Sequence, residues 1–340
     1  MPISTLKGRW TRLLATERLR RSSHVLSVVD QTVCIFGGEV LPRQPIDNQL
    51  DRFPLNSPDA ANLETISPGS APSPRVGSAS AVLGGAMYLF SGRGGVDMAP
   101  VDEQGAVWAY DVAAASWSKI EPADPSQPHP PARSYHCSAS DGQHTFFVHA
   151  GCPAEGRLSD LWKFNVSDRT WTQAPDAPPP QRGGTSLAYS GGKLFRMNGF
   201  DGTKEQGGTI DIFDIASSTW STQSFLADGN DGPEPRSVCV LLPLRLEGRN
   251  KLVTLFGEHD PSSLGHAGAG KMLNDIWSYD IGENWWTRLN IAAGDDMPAP
   301  RGWFDGDVVK SAGRGNDSIV VHGGLGENNE RLTDLWLLSF

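Results

Sequence analysis

A six-bladed, all-β propeller is the fold that this sequence predicts, on three observations. An apolar strand ending in glycine recurs six times: Cys34-Ile35-Phe36-Gly37-Gly38, Tyr88-Leu89-Phe90-Ser91-Gly92, Phe147-Val148-His149-Ala150-Gly151, Phe195-Arg196-Met197-Asn198-Gly199, Thr254-Leu255-Phe256-Gly257 and Val320-Val321-His322-Gly323-Gly324. An arginine precedes each, usually just after proline: Arg21, Arg75, Arg133, Arg182, Arg236 and Arg301, at gaps of 54, 58, 49, 54 and 65 residues. Aromatic pairs seven residues apart then follow: Tyr110 and Trp117, Phe164 and Trp171, Phe213 and Trp220, Tyr279 and Trp286.

Each pair encloses a polar turn, such as Asn165-Val166-Ser167-Asp168-Arg169, so each reads as a β-hairpin. The first aromatic should pack between blades, and the tryptophan should cover the outer strand. The first repeat is degenerate, with Phe53 followed only by Leu63. The last stops at Leu335-Trp336-Leu337-Leu338, without an outer strand. Gly8-Arg9-Trp10-Thr11-Arg12-Leu13 is expected to supply it, closing the ring and pairing otherwise open sheet edges. A period near 50 residues with di-glycine and spaced aromatics is the kelch signature, one four-stranded blade per repeat. Residues 1–340 are therefore expected to form one propeller domain.

Composition agrees. The chain has 38 glycines, 25 prolines and 38% hydrophobic residues, which suits many short strands. No run approaches the roughly 18 apolar residues of a membrane span. Met1 to Arg21 lacks the apolar core of a signal peptide. A net charge of −10 argues against nucleic acid as a partner. The four cysteines, Cys34, Cys137, Cys152 and Cys239, show neither CxxC nor zinc spacing. A reduced, cytoplasmic setting follows. No membrane partner is expected, and a homodimer is compatible with the sequence.

Residues just after the strand-ending glycines should line one mouth of the ring: Glu39, Arg93, Cys152, Phe200, Glu258 and Leu325. Two carboxylates and an arginine at equivalent places need partners, a ligand or a metal. The six repeat arginines are expected instead to brace loops through carbonyls. His24 and His136, in matching Arg-Ser-x-His segments, read as packing residues. Between Phe256 and Gly270, Glu258, His259, Asp260 and His266 fall within nine residues. Carboxylate and imidazole together suit Fe(II), Mn(II) or Zn(II). There is no GxSxG elbow, no phosphate-binding glycine loop and no HExxH helix.

The chain also resembles the plant specifier proteins, the nitrile-specifier, epithiospecifier and thiocyanate-forming kelch proteins. The residues that carry the resemblance run the whole length: Arg21-Ser22-Ser23-His24, Phe36-Gly37-Gly38-Glu39, Ala132-Arg133-Ser134-Tyr135-His136, Phe256-Gly257-Glu258, Leu264-Gly265-His266 and Pro300-Arg301-Gly302-Trp303 among them. The resemblance implies Fe(II) held by Glu-x3-Asp-x3-His, and action on the unstable aglycone that myrosinase releases from glucosinolates. Glu258 and His266 then stand at the outer ligand positions. Ser262 replaces the central aspartate, and Asp260 lies two residues earlier. The resemblance likewise implies catalytic roles for Glu39, Arg93 and Arg157, the two arginines on an anionic sulfate. Tyr135 and Trp303 become pocket walls. By their own place after strand-ending glycines, Cys152 is expected to face the cavity and Phe200 to help exclude water.

The leading expectation is an Fe(II)-dependent lyase or isomerase of a small, anionic, reactive metabolite, such as a glucosinolate aglycone converted to a nitrile. Two alternatives accompany it. One is a metal-free propeller enzyme that cyclises or isomerises another metabolite. The other is a non-enzymatic kelch module that binds a protein.

Overall fold

The computed structural model describes residues 6–67, 69–265, 268–291, 296–313 and 315–340. Among them, six four-stranded antiparallel sheets succeed one another as blades. Blade 1 comprises Val25–Val29, Thr32–Phe36, Leu50–Pro54 and Glu64–Ile66. Blade 2 comprises Ala79–Leu83, Ala86–Phe90, Val107–Asp111 and Ser116–Ile120. Cys137–Ser140, Thr145–Gly151, Leu158–Asn165 and Thr170–Ala174 form blade 3. Ser186–Ser190, Lys193–Met197, Thr209–Asp214 and Thr219–Ser224 form blade 4. In blade 5 the strands are Val240–Leu246, Arg249–Leu255, Ile276–Asp280 and Trp285–Arg288. Blade 6 takes Asp305–Val309, Ser318–His322 and Asp334–Ser339 from the end of the chain, and its fourth strand, Arg9–Ala15, from the beginning. The inner strands touch in cyclic order, blade 6 returning to blade 1. No described helix is long and apolar enough to cross a membrane.

The aromatic pairs do what their spacing implies. Tyr110 faces Trp117, Phe164 faces Trp171, Phe213 faces Trp220 and Tyr279 faces Trp286, each directly across the outer hairpin. Their ring centroids lie 4.9–5.2 Å apart and tilted, the range in which aromatic pairs attract. Among the described residues the apolar core divides into six clusters, and each cluster spans two neighbouring blades. Blade-to-blade burial is therefore the main apolar term, and no blade buries its faces alone.

The repeat arginines are buried braces, as expected. Each guanidinium donates to the carbonyl just before the second glycine position: Gly37, Ser91, Ala150, Asn198, Phe256 and Gly323. Five also reach a carboxylate: Asp51, Glu103, Asp160, Asp275 and Asp334. Four of those acids accept a tryptophan indole N–H as well, from Trp108, Trp162, Trp277 and Trp336. Arg182 is the exception. Arg196 occupies the acid of its blade, Asp211, and burial together with Arg196 brings the Arg182 pKa down to about 10.

The strand-ending glycines have a further task. Gly38, Gly92, Gly151, Gly199, Gly257 and Gly324 donate their N–H groups to Arg75, Arg133, Arg182, Arg236, Arg301 and Arg21 of the next blade, at 2.8–3.0 Å. Their φ angles lie between +92° and +108°, a region that side chains rarely enter. At Gly151 a Cβ would also lie 2.7 Å from that of His136. Gly191 is a contrasting turn glycine, at φ +57° with open space beside it. In equilibrium urea denaturation Gly191→Ala should cost about 1 kcal/mol, and Gly151→Ala about 3 kcal/mol or more. Equal costs would contradict this account.

The joint between blades 6 and 1 carries two carboxylates. Asp305 and Asp307 accept from the backbone N–H groups of Leu26 and Val28, at 2.6 and 2.8 Å. Burial lifts Asp305 to about 7 and Asp307 to about 6, from an ordinary 3.8. The folded chain thus holds protons there that the unfolded chain releases, and it gains stability as pH falls through that window. Against the cost of burial, arginines hold Asp275 and Asp334 below the ordinary value, so those acids weaken the fold only at lower pH. Four buried histidines, His24, His136, His149 and His322, pull the other way, because burial lowers their pKa values and the unfolded chain takes up protons there that the folded chain does not. The contribution of Asp305 is therefore read as a difference: the urea midpoint of the unaltered chain should gain on that of Asp305→Asn, which keeps an acceptor for Leu26, between about pH 8 and about pH 5. A midpoint difference that stays constant or shrinks across the interval would refute the assignment.

Candidate functional site

At one end of the ring, a second cycle of backbone hydrogen bonds runs inside the first. Ser23 donates to Trp303, Gly77 to Ser23, Tyr135 to Gly77, Gly184 to Tyr135, Val238 to Gly184 and Trp303 to Val238, at 2.6–3.0 Å. One residue per blade takes part, each in the left-handed region with φ of 47–61°. Blades 3 and 6 stand opposite each other, and they contribute Tyr135 and Trp303. The two rings meet edge to face, centroids 5.3 Å apart, and stopper the channel mouth. Glycine at 77 makes room, since a Cβ there would lie 3.0 Å from the Tyr135 ring. Behind the stopper lies a channel of about 420 Å³, lined by the inner strands, with Ser27, Ser80, Ser138, Ser186, Asp305 and Asp307 among its walls.

The rim lies beyond this cycle. Glu39, Arg93, Cys152, Phe200, Glu258 and Leu325 each form an antiparallel bridge to the residue after a repeat arginine: Ser22, Val76, Ser134, Gly183, Ser237 and Gly302. The structure thus puts all six at one equivalent place. Tyr135 and Trp303 border the channel, whereas Phe200, Cys152 and the charged rim residues do not.

Glu39 is buried. It accepts from the Arg43 N–H at 2.7 Å and from Arg331 at 3.2 Å, and burial nevertheless raises its pKa against those partners. Arg93 and Arg157 form no ion pair with the described residues, and the Nε of each is buried without a hydrogen-bond partner. Both act on Cys152: burial raises its thiol pKa, and Arg157 and then Arg93 pull it back. Arg157 also stacks over Phe200, 5.1 Å from the ring centroid.

On blade 5, Glu258 is buried. Burial raises its pKa, while the Gly270 N–H at 2.8 Å and the Trp303 indole stabilise its charge. Asp260 is mostly exposed, with one oxygen 3.4 Å from His259 Nε2. The other ring nitrogen of His259 faces the Pro235 carbonyl at 2.8 Å. Ser262 Oγ accepts from the Leu264 N–H. His266 lies outside the described residues. Among those described, no three His, Cys, Asp or Glu side chains converge as a metal site. Glu258, Asp260 and Ser262 offer oxygen atoms, the kind of donor that Fe(II) accepts beside an imidazole.

Sequence reasoning missed two rim residues, Arg331 and Glu205. Each is the return residue of a rim hairpin, bridged to Leu325 and to Phe200 respectively. The Glu205 carboxyl is raised to about 7, by burial first and then by Glu258. The signal was the outgoing rim position itself, because the residue that pairs back to it must stand on the same rim. His24 and His136 are packing residues. His24 Nε2 lies 2.9 Å from His322 Nδ1, and His136 stands edge-on to Phe90.

Comparison with known proteins agrees with this architecture. The KLHDC2/KLHL20/DRC7 kelch-repeats domain matches residues 23–257. The chain is 25% identical to N-(sulfonatooxy)prop-2-enimidothioate sulfolyase of Thlaspi arvense, over 98% of both chains. It is 22% identical to the Leucine-zipper-like transcriptional regulator 1 homolog of Drosophila melanogaster, over 99% of this chain and 33% of that protein. Tip elongation aberrant protein 1 of Schizosaccharomyces pombe is 28% identical over 54% of this chain and 16% of its own length. With its repeats matched over most of their length and its blades built on the repeat arginines and glycines, the chain belongs to the kelch-repeat family.

Proposed function

We propose that this chain is a catalyst that fragments or rearranges a small, reactive, anionic metabolite at the rim above the Tyr135–Trp303 pair. One observation carries the reading. Five of the six repeat arginines are bound to carboxylates, while Arg93 and Arg157 form no ion pair with a described residue and both act on Cys152, Asp201 feeling Arg157 only at longer range. Two guanidiniums without a close carboxylate, both acting on one place, suit a sulfate or similar oxyanion, which their planar forks can bind in two-point fashion. The name of the Thlaspi relative specifies a sulfonatooxy compound and a lyase reaction. The proposal takes from that name the class of substrate, a compound with an anionic leaving group, and the class of reaction.

In this reading Arg93 and Arg157 hold the leaving group. When its bond breaks, the electron pair passes to the leaving oxygen, and the two cations stabilise the charge that collects there. Tyr135, Trp303 and Phe200 form the apolar floor that keeps water from the cleavage. Glu39, fixed by Arg331 and the Arg43 N–H, is the carboxylate beside that floor. Its electrostatic influence reaches the Tyr135 hydroxyl. Arg93→Ala and Arg157→Ala should each lower turnover of N-(sulfonatooxy)prop-2-enimidothioate about 100-fold. Product analysis by gas chromatography reads this out. Products identical to those formed in buffer alone, with the unaltered chain present, would sink the reading.

In the metal-dependent form of the same reading, Glu258 and His266 would hold Fe(II), which would supply Lewis-acid chemistry. No step above passes through it. Anaerobic titration should show one Fe(II) bound, and the binding should be lost in both Glu258→Ala and His266→Ala. No binding by the unaltered chain would leave the metal-free form. A partner-binding reading draws on Leu41 and Leu264, which are exposed on rim hairpins. It leaves the unpaired Arg93 and Arg157 without a role, so the catalytic reading is preferred.

A further inference from the structure

Apart from Glu39 and Arg331, which pair with each other across blades 1 and 6, the rim charges are sorted by side. Blades 2 and 3 bring Arg93 and Arg157, while blades 4 and 5 bring Glu205 and Glu258. Glu205 is only 8% exposed. Its Oε1 accepts from Ser237 Oγ at 3.0 Å. The Ser237 backbone in turn exchanges hydrogen bonds with Glu258, at 3.0 and 2.9 Å. The Glu205 carboxylate therefore stands between the rim positions of Phe200 and Glu258. Its second oxygen, Oε2, is buried and has no hydrogen-bond partner among the described residues. A buried carboxylate oxygen without a donor is costly and uncommon.

Phe200 joins this oxygen to the anion site. Its backbone bridges to Glu205, and its ring lies under the Arg157 guanidinium. An orphaned acceptor and a cation with no close ion pair among the described residues thus flank a single aromatic residue. We infer that Glu205 Oε2 receives an N–H or O–H donor from the ligand, so that the rim takes a bifunctional compound with an oxyanion at one end and a donor group, such as an ammonium, at the other. This rests on reading the rim as an anion site and adds the group that selects among anions. Glu205 is then a specificity-determining residue, since a compound lacking the donor leaves the carboxylate oxygen unpaired.

Two probes separate the terms. Para-toluenesulfonate carries the anion alone, and para-aminomethylbenzenesulfonate adds an ammonium. Calorimetric titration of the full chain at pH 8, where the Glu205 carboxyl is ionised and the probe's amine still charged, should show the amine probe binding about tenfold tighter. Glu205→Gln, which keeps the shape and the acceptor for Ser237, should abolish that preference and leave toluenesulfonate affinity unchanged. Glu205→Asp, which keeps the charge but withdraws it by one methylene, should lose most of the preference. Arg93→Ala should weaken both probes alike. Equal affinity for the two probes in the unaltered chain, or a preference that survives Glu205→Gln, would overturn the inference and leave the anion site standing. Failure of the unaltered chain to bind either probe would overturn the anion reading, and this inference with it.

Discussion

Each blade is tied to the next by the same two backbone hydrogen bonds, one from a strand-ending glycine and one from the left-handed residue that borders the channel. Both cycles close on themselves. The apolar clusters between blades are non-directional and would tolerate sliding, but a hydrogen bond at 2.6–3.0 Å does not. Rim geometry therefore descends from these cycles: the residue beside each bridging glycine is presented at the same height and angle in every blade. Buried guanidiniums complete the device by holding the carbonyl one step back along each strand.

This explains why so much of the architecture was legible. The glycines and arginines recur because a backbone conformation near φ +100° and a buried brace are each satisfied by few residue types. The seven-residue aromatic spacing recurs because a hairpin with a short turn puts those two positions directly opposite. Even the missing outer strand was legible, as an unmatched Trp10 segment at the far terminus, and it lies along Asp334–Ser339.

The site was legible only in outline. The rim positions followed from the repeat, but the return side of each hairpin varies in length and composition, so Arg331 and Glu205 carried no periodic mark. The separation of rim from channel was also hidden. It depends on two large rings meeting across the axis from opposite blades, a contact between residues 135 and 303 that no local pattern encodes. The loop between Glu258 and Gly270 was legible as a cluster of polar groups and not as an arrangement. Asp260 lies beside His259, Ser262 bonds within its own loop, and His266 is outside the described residues.

The inner cycle is made wholly of main-chain groups, while its six side chains are serine, glycine, tyrosine, glycine, valine and tryptophan. The bonds that hold the cycle are indifferent to those identities, apart from the modest cost of a left-handed residue. The same scaffold can thus act as an iris whose aperture is written in six letters. Two large rings shut it here, and small residues at the same six places would leave a hole from face to face, at little expense to the blades. Divergence of pore and pocket in such a ring therefore needs no change in the frame that carries them.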